Sequence, residues 1–289
     1  MNNDINLNLY KTFYDVARYG SFSKAADFTF STQPSISKQI KNLETQLDTR
    51  LFYRKPNGVE LTEKGKELLF YIEKAYGNIL TAERIMLETD NLNRGKLSIG
   101  MPSNMYKFMI DKIKDFSNKY PDIEISIFTG STTSLMNQLD IHKIDFIIDT
   151  LPINYMTNDI VVNNIKQMEY CFISHKKENI KSLKDLENYP LILPIKGTNN
   201  RDMLDELLFK NNVELNKVIN IHTSELIIDS VKADMGIGYI LKDLVDDEVT
   251  VLNIKDKLPS STLALIYNKK FLTLAPRKFI ENYINVDMK

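Results

Sequence analysis

The chain is 289 residues long, with 43% apolar and 26% charged side chains and a net charge of -1, the balance of an ordinary globular protein large enough for two or three domains. That neutrality excludes a generic polyanion binder, and the single cysteine, Cys171, excludes an internal disulfide and fits a reducing cytoplasm. No apolar run is long enough to span a membrane, and the start, MNNDINLNLYK, lacks the basic and apolar segments of a secretory signal.

In chain order, Leu9, Phe13, Val16 and Ala17 share one side of a first helix, which Gly20 ends as a left-handed cap. Ser21 or Ser23 caps a second helix, whose Ala25-Ala26 pair permits close packing. Thr32 caps a third, because Pro34 is tolerated only in a first turn. On that third helix Ile36, Ile40, Leu43 and Leu47 form a buried stripe. The opposite face carries Pro34, Ser35, Ser37, Lys38, Lys41 and Asn42, hydrogen-bonding or cationic and without an acid. A rigid helix with such a face suits the DNA major groove. Residues 51–54 and 59–61 alternate as two strands around Asn57-Gly58, a hairpin turn, so three helices and a wing are expected. The charge follows the same division, +2 over residues 1–62 and -2 over residues 63–93.

Thr62 opens a long helix expected to reach about Thr89. Its Leu69, Ile72, Tyr76, Ile79 and Met86 step by three or four residues, interrupted at Glu83, and this narrow stripe fits a partner helix or, alternatively, packing on its own domain. Residues 90–95 read as a hinge. From Lys96 strands and helices alternate: strands at 97–100, 123–128, 146–148, 170–174, 191–193 and 262–267, with helices at 106–120 and 132–139. Such alternation implies open α/β sheets covered on both faces.

The run Ser31-Thr32-Gln33-Pro34-Ser35-Ile36-Ser37-Lys38-Gln39-Ile40, then Leu43-Glu44, Leu47, Arg50-Leu51-Phe52 and Leu61-Thr62-Glu63-Lys64-Gly65, resembles the LysR-type transcriptional regulators. Gly20-Ser21-Phe22-Ser23-Lys24-Ala25-Ala26 is similar to that family's link between its first two helices. Residues 231–238 and 274–279 resemble its effector-domain motifs, so the likeness covers nearly the whole chain. It implies an α/β protein with a winged helix-turn-helix domain (1–62), a linker helix and hinge for dimerisation (63–93) and an effector domain (94–289). Two subdomains of periplasmic-binding-protein type are then expected, 94–162 with 266–289, and 163–265.

By resemblance, Gln33, Pro34, Ser35, Ser37, Lys38 and Gln39 match the groove-facing motif, while Lys41, Arg54 and Lys55 are placed for phosphates. Lys38 stands where the family often has arginine, which removes bidentate guanine recognition. The resemblance also places an inducer cleft at Ser103, Thr129, Ser131, Thr132 and Thr150, each after a strand, with Thr198 facing them. Helix N-termini with hydroxyls favour a small organic anion as effector, to which Lys196 and Arg201 add charge. His142 and Lys242 replace a glycine and a proline common in the family.

No cofactor or metal is expected, since His142, His175 and His222 are scattered, and no nucleotide fingerprint or catalytic triad is present. The expectation is therefore a cytoplasmic regulator, not an enzyme. Its partners would be double-stranded DNA with an imperfect palindrome, a small-molecule effector, a second copy as dimer or tetramer, and RNA polymerase, but no membrane. The rival reading, a solute-binding or enzymatic α/β protein with an incidental N-terminal domain, leaves residues 1–62 without a use.

Overall fold

A computed structural model of the chain describes residues 5–56, 58–87, 94–153, 159–284 and 286, which fall into two compact units. In the first unit the helices start where side chains satisfy free amides. Asn6 caps α1 (Leu7–Tyr19), Ser21 caps α2 (Phe22–Phe28) and Thr32 caps α3 (Gln33–Gln46), with Pro34 in its first turn. Gly20 ends α1 at φ +61, as its sequence position predicts. Phe13, Val16, Ala25, Ile36, Ile40 and Leu43 converge as one buried core.

The wing follows. Strands β1 (Phe52–Lys55) and β2 (Gly58–Leu61) pair antiparallel, while the Asn57 half of the expected turn lies outside the described residues. Gly58 has φ +141, and a Cβ there would run into the Gly20 carbonyl oxygen. The Val59 N–H donates to that same oxygen at 2.9 Å, pinning the wing to the link between α1 and α2.

A less expected residue ends α2. Phe30 takes φ +50, and the Ser31 N–H beyond it reaches back to the Ala26 carbonyl at 2.9 Å, closing the helix as glycine usually does. Phe30 is 99% exposed.

The long helix α4 runs Glu63–Leu87, and residues 88 and 89 of the expected helix lie outside the described residues. Its stripe divides. Leu69 and Ile72 pack against the core of their own domain, and Tyr76 stacks on Tyr14 of α1 at 5.2 Å. Ile79 and Met86 stay exposed, joined by Leu80 and Ile85. A single continuous partner seam therefore does not describe α4, because its first half already has a tertiary neighbour.

The second unit alternates strands and helices: β3 (Gly95–Met101), α5 (Tyr106–Lys119), β4 (Ile123–Thr129), α6 (Thr132–Asp140), β5 (Phe146–Thr150) and β6 (Ile160–Ser174). It continues with β7 (Pro190–Pro194), α7 (Asn199–Lys210), β8 (Lys217–Ile221), α8 (Ser224–Lys232), β9 (Ile237–Leu241), β10 (Thr250–Val251), β11 (Ser260–Asn268) and α9 (Leu274–Tyr283). Of the expected hinge, 90–93 lie outside the described residues and Gly95 opens β3 instead.

Among the described residues the strands form one hydrogen-bonded series, β4-β3-β5-β11-β6-β9-β7-β8, with β10 beside β6. β3, β4 and β5 are parallel and belong to one subdomain; β7, β8 and β9 belong to the other, where β7 pairs parallel with both neighbours. β6 links the two, pairing with β11 up to Glu169 and with β9 from Tyr170. The register of β11 slips between Leu263 and Ala264, leaving Ile165 of β6 outside the Cα pairing. Phe146 of β5 stacks on Phe279 of α9 at 5.7 Å, and Phe116 of α5 meets the same ring edge-on at 5.2 Å. The C-terminal helix thereby closes the first subdomain's core. In the second subdomain Phe172, Leu191, Ile192, Leu204, Val231 and Tyr239 are buried together.

Candidate functional site

On α3 the buried stripe of Ile36, Ile40 and Leu43 turns the opposite face outward. Gln33, Pro34, Lys38 and Lys41 are exposed there, and Ser35, Ser37 and Gln39 lie at its margins or within it. Lys38, Gln39, Lys41, Asn42 and Thr45 line a shallow open depression. Neither Lys38 nor Lys41 meets a carboxylate among the described residues, so both charges face solvent.

Three of the expected contact residues are less free. Gln39 is held by hydrogen bonds to Thr12 Oγ1 at 2.6 Å and Ser35 Oγ at 3.3 Å, which ties its amide toward α1. Arg54 donates from Nη2 to Ser37 Oγ at 3.2 Å, and its guanidinium lies 5.7 Å from the Phe22 ring centroid. Lys55 pairs with Glu60 across the wing at 3.2 Å, which offsets its charge.

In the second unit, Ser103 follows β3, Thr129 ends β4 and Thr150 ends β5, so parallel pairing brings these residues to one end of the first subdomain's sheet. Ser131 accepts from the Ser134 N–H at 3.3 Å at the start of α6. Thr132, the first residue of α6, donates its hydroxyl to Asp149 Oδ2 at 2.7 Å. Thr198 precedes α7 and donates to the Ile195 carbonyl at 2.9 Å. Its neighbour Asn199 donates from Nδ2 to the Pro152 carbonyl at 2.8 Å, joining the start of α7 to the chain just after β5.

Sequence reasoning passes over the groups at this junction. Asp149 is 3% exposed, and its Oδ1 accepts the Thr150 N–H at 2.6 Å. Burial pushes its carboxyl up to about 6, against the opposing hydrogen bonds from Thr132 and Thr150. Tyr170 shares a hydrogen bond with Ser261 at 3.2 Å; burial raises its phenol, with hydrogen bonds to Ser261 and Thr150 acting the other way. The visible signal is an acid closing the apolar run Phe146-Ile147-Ile148.

Arg201, expected to add charge near the effector, is committed within the protein. It is 4% exposed and donates to Asp205 Oδ1 at 2.7 Å, the Pro194 carbonyl at 2.8 Å and Asn220 Oδ1 at 2.7 Å, a clamp within the second subdomain. Lys196 is exposed. His142 takes φ +57, the left-handed backbone that suits the glycine it replaces. Among the described residues no three His, Cys, Asp or Glu side chains gather as metal ligands, and no helix is long and apolar enough to cross a membrane.

A winged helix-turn-helix and an α/β domain of two subdomains define a ligand-responsive DNA-binding regulator. Residues 7–66 match the family model described as bacterial regulatory helix-turn-helix protein, lysR family, and residues 90–285 match that of the LysR substrate binding domain. The chain belongs to the LysR family of transcriptional regulators.

Its relatives are regulators and not enzymes. The chain is 30% identical over 280 residues to the HTH-type transcriptional regulator SoxR of Arthrobacter sp., covering 94% of each protein. It is 29% identical over 272 residues to the HTH-type transcriptional regulator YofA of Bacillus velezensis, covering 93% of this chain and 86% of the relative. Among solved structures, full-length OxyR from Pseudomonas aeruginosa matches with a TM-score of 0.72 at 19% identity, covering 96% of this chain and 92% of that one. Full-length CbnR, solved with its target DNA, matches with a TM-score of 0.65 at 18% identity, covering 96% and 98%.

Proposed function

We propose that this regulator reads an imperfect palindromic operator with α3 and its wing, as a cytoplasmic dimer or tetramer, under the control of a small molecule held between the two α/β subdomains. The observation that carries the DNA reading is the acid-free outer face of α3, where Lys38 and Lys41 keep unpaired charges beside Gln33, Pro34 and Ser37. Lys38 and Ser37 contact bases or phosphates; Lys41 and Arg54 serve phosphates, which set register without reading sequence. Gln39 acts chiefly by holding α3 to α1, and Lys55 contributes less because Glu60 faces it.

Self-association falls to the outer half of α4, where Ile79, Leu80, Ile85 and Met86 are exposed. For the effector cleft, support comes from Ser103, Thr129, Ser131, Thr132 and Thr150 at one sheet end, with the Asn199–Pro152 hydrogen bond bringing Thr198 toward them. Ligands of open α/β sheets settle at such strand ends. Selection of bound fragments from genomic DNA, followed by titration of the selected site against the native chain and Lys38→Ala, tests the DNA reading. Failure to enrich any sequence, or equal affinity of the two proteins, would refute it.

A further inference from the structure

Asp149 constrains what the cleft can hold. It is the penultimate residue of β5 and accepts from the first residue of α6, beside the strand ends proposed above as the effector site. Its Oδ2 accepts a hydrogen bond from the Thr132 hydroxyl and its Oδ1 one from the Thr150 N–H, and no cation pairs with it among the described residues. A buried carboxylate ordinarily requires a cationic partner or several hydrogen bonds. Here two hydrogen bonds are in place, and lone pairs remain on both oxygens.

The same contacts alter the expectation of an anionic effector. That expectation depended on free helix N-termini and free hydroxyl protons. At α6 the protein's own carboxylate already lies against the first residue, Thr132, where it opposes a second negative charge. Thr132 has spent its proton on Asp149 and Thr198 has spent its own on Ile195, so both hydroxyls offer only acceptor lone pairs to a ligand. Arg201, the nearby candidate for binding an anion, is consumed by Asp205, Pro194 and Asn220.

We propose that the cleft takes a ligand carrying an ammonium or similar hydrogen-bond-donating cation, with Asp149 as its counter-charge and Thr132 and Thr198 as acceptors. This rests on the reading of the cleft as the effector site. An ammonium group supplies three donors, which matches an acceptor-rich floor, whereas a carboxylate would face Asp149 with like charge.

The test uses three probes of equal carbon length: 1,4-diaminobutane, 1,4-butanediol and succinate. Each is titrated by calorimetry into the full chain, into Asp149→Asn and into Thr198→Tyr, whose ring fills the cleft. The diamine is expected to bind at least about tenfold tighter than the diol, with succinate weakest, and Asp149→Asn is expected to remove the diamine's advantage while the diol is unaffected. Succinate binding as well as the diamine, an unchanged order in Asp149→Asn, or no diamine binding at millimolar concentration overturns the charge preference. Diol or succinate binding at least as tight as the diamine's, and abolished by Thr198→Tyr, would keep the cleft while rejecting the cation. Diamine binding that survives both substitutions would instead reject the cleft as the site.

Discussion

Arg54 of the wing donates to Ser37 of the recognition helix at 3.2 Å while its guanidinium lies against Phe22. The wing and α3 therefore present one joined surface, and Ser37 is oriented before DNA arrives. Ser37→Ala removes both the proposed groove contact and an anchor for Arg54. We expect operator affinity to fall by about tenfold, on the order of 1–3 kcal/mol, with self-association unchanged. Fluorescence anisotropy beside sedimentation checks this; unchanged affinity in both Ser37→Ala and Lys38→Ala removes α3 from the interface.

Lys41 is exposed and meets no carboxylate among the described residues, which leaves its charge open to a phosphate. Lys41→Ala should weaken binding to matched and mismatched operators alike and reduce the log–log salt slope by about one. A slope equal to that of the native chain would show that Lys41 contacts no phosphate.

Phe30 holds a left-handed backbone while exposed to solvent, so its conformation gains little from packing. Phe30→Asn relieves that strain and should stabilise the first domain by up to about 1 kcal/mol. Hydrogen exchange in α2 is the readout, and faster exchange in the variant would contradict the expectation.

Asp149 gives stability a pH dependence whose sign is fixed. Its folded value of about 6 lies above the unfolded 3.8, so the folded state holds the proton more tightly. The contribution is fully present below about pH 4, declines as pH rises to about 6 and is gone above it, a span of about 3 kcal/mol. Asp149→Asn should flatten that window and raise stability at about pH 7.5. Denaturant titrations from about pH 4 to about pH 8 that keep the same slope in the variant would place the titration elsewhere.

Cys171 is 4% exposed, and burial pushes its thiol up to about 11. It should react with an aromatic disulfide reagent only as fast as the second unit opens. Rapid reaction in native buffer would show that β6 exposes it.

Local chemistry makes the first domain readable. Gly20, Ser21, Thr32 and Pro34 each dictate their own turn or cap, and the structure has them there. The division of α4 is not readable, because it depends on Tyr14 reaching Tyr76 from a helix far away in sequence. The first ten residues of β6 escape for a similar reason: polar Asn163, Asn164, Lys166 and Gln167 interrupt its pattern, and its partner β11 lies far along the chain. β8 and β9 also go unmarked, being short, the first paired with β7 and the second chiefly with β6. At the cleft, hydroxyl positions are legible from strand ends, but which protons they have already given away is not.

The slip in register between Leu263 and Ala264 carries a mechanical consequence. Both subdomains share a two-stranded ribbon, so swinging one against the other means flexing that ribbon and not rotating about a slack tether. The unpaired rung at Ile165 marks the break in that ribbon's register, and any such swing would also strain the Asn199 hydrogen bond to the Pro152 carbonyl.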